Sequence, residues 1–96
     1  MDEFFSRQAA VMRHLMLDYS AGRLDLNTLI QRVEGIADVI GRDVWKDAVF
    51  PIVLAMEQIN ALALNAKTSL TEANKAVIED SLSDLEVLIE RFEKSG

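Results

Sequence analysis

The sequence predicts an all-α protein, an antiparallel four-helix bundle folded as one domain spanning residues 1–96. Three observations carry that reading. Apolar residues recur near the helical period along almost the whole chain, and no strand-like alternation persists. Isolated glycines at Gly22 and Gly41, and a polar stretch at 65–70, divide the chain into four amphipathic segments with short joints. Half of the 96 residues are hydrophobic and none is cysteine, so a single core must form without disulfide staples.

The first helix is expected from about Asp2 to Ala21. Phe5, Met12, Leu15, Met16 and Tyr19 mark its apolar face, with Ala9 between them. Asp2 can cap its start, and Gly22 is a natural stop because it accepts the left-handed backbone that closes a helix. The second segment has the cleanest stripe: Leu26, Leu29, Ile30, Val33, Ile36, Ala37 and Ile40. Asp25 is its expected N-cap and Gly41 its C-terminal stop. Gly35 lies inside it at a cost of about 1 kcal/mol in helix propensity. Close approach of a neighbouring helix would account for the missing side chain there.

The third segment starts near Asp43 and runs to about Ala66, with Trp45, Ala48, Val49, Ile52, Val53, Met56, Ile59, Leu62 and Ala63 facing inward. Pro51 interrupts it. Proline has no N–H to offer the carbonyl of Asp47, and it disfavours helical geometry at Phe50. The third helix is therefore expected to be kinked or broken at Pro51. The last helix is expected from about Leu70 to Glu93, with Val77, Ile78, Leu82, Leu85, Leu88, Ile89 and Phe92 inward. Ser69, three residues before Glu72, would form a capping box.

Charge bounds the function. The formal net charge is −6, which repels nucleic acid and anionic membrane and favours a basic protein partner or none. The acidic start, Met1-Asp2-Glu3-Phe4-Phe5, is unlike a secretory signal. The longest apolar run, residues 48–56, is too short to span a bilayer. Absence of cysteine suits a reducing compartment, and a cytoplasmic location is expected.

Nothing in the chain signals catalysis. His14 is the only histidine, so neither a helical zinc pair nor a di-iron bundle can be assembled. The glycines are isolated and form no phosphate loop. No enzyme activity, cofactor or metal is expected.

The acidic residues are the remaining candidates. The segment from Thr71 onward holds Glu72, Glu79, Asp80, Asp84, Glu86, Glu90 and Glu93 against Lys75, Arg91 and Lys94, a local balance of −4. Glu72, Glu79, Glu86 and Glu93 fall seven apart and lie along one slowly drifting helical stripe. Asp80–Asp84 and Glu86–Glu90 repel at i,i+4, whereas Glu90–Lys94 attracts. Such a stripe either solvates the protein or docks a basic partner. A second patch combines Asp43, Trp45 and Asp47. Trp45 there is either a core residue plugging one end of the bundle or a partly exposed interface aromatic.

The segment Asp18-Tyr19-Ser20-Ala21-Gly22-Arg23-Leu24-Asp25, leading into Leu29 and Val33, resembles the helix–turn–helix opening of colicin D immunity-type and contact-dependent growth inhibition immunity proteins. It covers under a fifth of the chain; size and acidity are the other points of likeness. The resemblance implies a bacterial inhibitor that binds a basic nuclease toxin domain and occludes its active site, encoded beside its toxin. Glu79, Asp80, Glu86, Glu90 and Glu93 would supply the charge, with Asp43, Trp45 and Asp47 as the second patch. The alternative is a helical interaction subunit or homodimer that meets another copy through off-stripe residues such as Phe4, Val11, Leu17 and Val44.

Overall fold

The computed structural model describes residues 3–66 and 70–95. Four helices account for nearly all of them: α1 (Glu3–Ser20), α2 (Leu26–Ile40), α3 (Asp43–Ala66) and α4 (Glu72–Ser95). Among the described residues there is no strand. Sequential helices pack side by side and α4 closes the ring against α1. Cross-helix contacts give the directions. Phe5 of α1, Trp45 of α3 and Phe92 of α4 meet at one end, and Asn27 meets Asn60 toward the other. The helices thus alternate up and down, the all-α four-helix bundle that the segment lengths implied.

Local chemistry explains the helix ends. Asp25 accepts a hydrogen bond from the Thr28 N–H at 2.7 Å and caps α2, satisfying one of the donors a helix start leaves open. Gly41 takes a left-handed φ of 70° and donates its N–H to Ala37 O, closing the same helix. Gly22, at φ 80°, follows the last turn of α1. At the start of α4 the cap is Thr71, whose hydroxyl accepts from the Asn74 N–H at 3.1 Å. The expected caps Asp2 and Ser69 lie outside the described residues.

Pro51 does not divide the third segment: α3 is one helix from Asp43 to Ala66 with the proline inside it. Asp47 and Pro51 are both exposed, so water can serve the carbonyl that loses its partner. Gly35 also departs from expectation. A Cβ there would meet nothing within 4 Å, so no close helix approach requires the glycine.

The core contains Phe5, Met12, Leu29, Val33, Trp45, Met56, Ile78, Leu85 and Ile89, all nearly or fully buried. Its main aromatic feature is the end cluster. Trp45 is T-shaped to Phe5 at 5.1 Å and to Phe92 at 5.0 Å, while Phe5 and Phe92 stack at 6.0 Å. Such pairs add about 0.5–1.5 kcal/mol beyond the area they bury. Two residues expected inside are on the flanks: Leu62 is 60% exposed and Val77 40%. In α4 the inner line instead runs through Ile78, Ser81, Leu85, Leu88 and Phe92. Ser81 is buried there because its hydroxyl donates to Val77 O, one turn back, at 3.0 Å.

The outer side of α3 is unusually apolar. Val44 and Phe50 are exposed, as are Leu54 and Leu62. Residues Asp43–Leu64 are long and apolar enough to cross a membrane by length and composition alone, which the length of the longest unbroken apolar run did not suggest. A helix packed in a bundle passes the same test, and this one lies against α2 and α4.

Candidate protein-docking site

The acidic stripe of α4 divides into two parts. Glu86 and Glu93 lie along the seam with α1, where Arg13 sits between them. Arg13 Nε donates to both Glu86 oxygens at 2.9 and 3.1 Å. Its Nη1 and Nη2 donate to the two Glu93 oxygens at 3.2 and 2.8 Å. A planar guanidinium matches two carboxylates in this way, and the glutamates hold it in its charged form. Glu86 and Glu93 are thereby neutralised within the bundle's own seam.

Glu79, Asp80 and Glu90 are different. All three are exposed and make no ion pair or hydrogen bond among the described residues. Glu79 lies near Tyr19, whose hydroxyl is pushed above its ordinary pKa first by burial and then by that negative charge. Glu72 faces Lys75 at 3.6 Å, an exposed pair of small energetic weight.

The second expected patch also divides. Asp43 and Asp47 are exposed in the first turns of α3, where negative charge suits the helix dipole. Trp45 is fully buried in the aromatic cluster. Its ring is a core plug and offers no contact surface to a partner. His14 is exposed on α1. Among the described residues no group of three or more His, Asp or Glu side chains is placed to hold a metal ion.

The structure adds a site that the sequence reading did not find. A groove of about 270 Å³ runs between α2 and α3, lined by Ala37, Val49, Phe50 and Val53 with Glu34, Asp38, Lys46 and Glu57 around them. Phe50 is 63% exposed. Lys46 Nζ reaches Asp38 at 3.7 Å. Glu34 faces Glu57 across the two helices, and its carboxyl is raised from 4.5 to about 7. The leading cause is the hydrogen bond with Glu57, followed by burial and by the charges of Glu57 and Asp38. The hydrogen bond, which needs a proton held between the two acids, therefore contributes more than burial does, and the neighbouring charges contribute less than either.

The signal for this pair was present in the hairpin register. Once α2 and α3 fold back at residues 41–42, Asp38 meets Lys46, and farther along Asn27 meets Asn60 with an amide hydrogen bond of 3.1 Å. Glu34 and Glu57 fall between those two rungs.

Comparison with family models, curated proteins and solved structures gives no match for this chain.

Proposed function

We propose that this chain is a non-catalytic, cytoplasmic inhibitor that binds a basic nuclease toxin domain and covers its active site, in the manner of bacterial immunity proteins. The observation that supports this best is the outward, unpaired acidity of α4 at Glu79, Asp80 and Glu90. Asp80–Asp84 and Glu86–Glu90 are like-charge pairs at i,i+4, each mildly destabilising to the helix. The glutamates that can be neutralised internally are clamped by Arg13, and Glu79, Asp80 and Glu90 are left to solvent.

A nuclease site is basic because its substrate is polyanionic. An acidic helical surface reaches it by electrostatic steering and then excludes the nucleic acid, with association rates of up to about 10⁸–10⁹ M⁻¹s⁻¹ at low salt. The test is binding to a basic nuclease domain of the proposed kind, sought first among the products of neighbouring genes, measured over a salt series. Affinity should fall as salt rises, and joint charge reversal of Glu79, Asp80 and Glu90 should weaken it at least about tenfold. Salt-independent binding, or none, would remove the proposal.

A second reading draws on the outer side of α3. A helix apolar on most of its circumference is ordinarily covered on most of it, yet Val44 is 71% exposed and Leu62 60%. A second copy of the chain could cover them. Sedimentation showing only monomer at high concentration would end that reading.

A further inference from the structure

We propose that the groove between α2 and α3 receives a basic side chain of the protein partner, an arginine or lysine seated between Glu34 and Glu57, with the adjoining apolar atoms of the partner resting on Phe50. The proposal rests on the reading of the chain as an inhibitor of a basic protein and names the surface used.

The groove combines two features that a basic peptide segment needs. Ala37, Val49, Phe50 and Val53 offer an apolar surface, and Phe50 is 63% exposed. Carboxyls stand on both walls, Glu34 and Asp38 from α2 and Glu57 from α3. Among the described residues Lys46 of α3 is the one cation lining the groove, and it is drawn to Asp38 at 3.7 Å. Neither α1, packed on the other side of α2, nor α4, packed on the other side of α3, contributes a charged group to the lining. Glu34 and Glu57 are therefore left facing one another.

The same molecule shows what a guanidinium does between two glutamates. Arg13 lies within 2.8–3.2 Å of Glu86 and Glu93 and donates hydrogen bonds to both. The Glu34–Glu57 pair also brings two acids together, across two helices rather than along one, with no arginine lining the groove between them. In place of the cation, the pair retains a proton near neutrality.

Seating a cation exchanges one positive charge for another. Before binding, two carboxyls and one proton carry −1. Afterwards, two carboxylates and one guanidinium carry −1, and the proton has gone to solvent. Binding is thus linked to proton release, and affinity rises with pH until the free pair is ionised.

The test uses the whole chain and the capped peptide acetyl-Leu-Arg-Leu-amide, followed by amide chemical shifts. Shifts should be confined to the α2–α3 groove, with Phe50 among the largest. Affinity should be several-fold greater at about pH 8 than at about pH 6. Glu57→Gln, checked for native helicity, should weaken binding about tenfold, and a peptide with norleucine for arginine should give no shifts. Shifts at Glu79, Asp80 and Glu90 instead would overturn the groove assignment and leave the basic-partner reading standing. Absence of shifts at millimolar peptide would also overturn it, while the toxin-binding assay would still decide the broader reading. Concentration-dependent shifts of Phe50 without peptide would assign the groove to a second copy and overturn the proposal.

Discussion

Two seams of this bundle carry paired glutamates, one pair two turns apart along α4 and the other facing across α2 and α3, and their charge is met in opposite ways. Between α1 and α4, Glu86 and Glu93 share Arg13, which satisfies both and draws the helices together. Between α2 and α3, Glu34 and Glu57 have no such cation, and the pair is kept from full ionisation by a retained proton. The first seam is complete within the chain. The second is complete only with something added, a proton or a cation from outside. Net charge alone would not distinguish them; the position of one arginine does.

The largest expected effect lies at the end of the α1–α4 seam, where Trp45 joins α3 to Phe5 and Phe92. Trp45→Ala should cost about 3–5 kcal/mol through cavity formation and lost aromatic contacts. That is a large share of a small domain's stability, and a urea titration would show it as a steep fall in midpoint. A change below about 1 kcal/mol would mean that this end is not tightly packed.

Arg13→Ala comes next. It leaves Glu86 and Glu93, two turns apart on the same face of α4, without their shared cation, and it removes an apolar stem that covers the seam. With the guanidinium about one-third exposed, the expected loss is about 1–2 kcal/mol, above an ordinary surface pair because both contacts are well formed. Arg13→Lys should recover only part of it, since an ammonium cannot form the same fork. Full recovery by lysine would show that charge alone, without geometry, holds the seam.

Gly35→Ala should act in the opposite direction. The site is helical, exposed and open around the missing Cβ, so the alanine should gain about 0.5–1 kcal/mol. A loss would restore the close-approach explanation.

The smallest effect is the pH dependence of the α2–α3 pair. The folded-state pKa of Glu34 is raised from 4.5 to about 7. The folded protein therefore holds more protons than the unfolded chain between those values, and stability from this pair falls as the pH climbs through that window. Below about 4.5 both states are protonated and the contribution is complete; above about 7 it is gone. Glu57→Gln should flatten that part of the profile and stabilise the protein at about pH 8 by less than about 1 kcal/mol, the exposed site being screened by solvent. An unchanged slope would locate the pH sensitivity elsewhere.

The four helices were legible because each rests on local signals. Asp25 and Gly41 mark the ends of α2 by their own backbone chemistry, and the α2 stripe needs no knowledge of its neighbours. The inner line of α4 was less legible because Ser81 occupies a core position while bonding to its own helix. Site residues were harder still. Glu86 and Glu93 looked like their stripe companions Glu72 and Glu79 because Arg13 lies 73 and 80 positions away in sequence. Glu34 and Glu57 looked like ordinary surface acids until α2 and α3 were laid against each other. Trp45 had two open readings, and only packing could choose between them. Charge was readable from the chain; its compensation was not.

The most direct measurement compares the two seams in binding a basic nuclease domain of the proposed kind, sought first among the products of neighbouring genes. Glu86→Gln with Glu93→Gln is one variant, and Glu34→Gln with Glu57→Gln is the other, each confirmed as folded. The first should leave affinity within about twofold of the parent, and the second should weaken it about tenfold or more. Equal losses, or the reverse ranking, would contradict the claim that acids left uncompensated by the bundle are those that meet the partner.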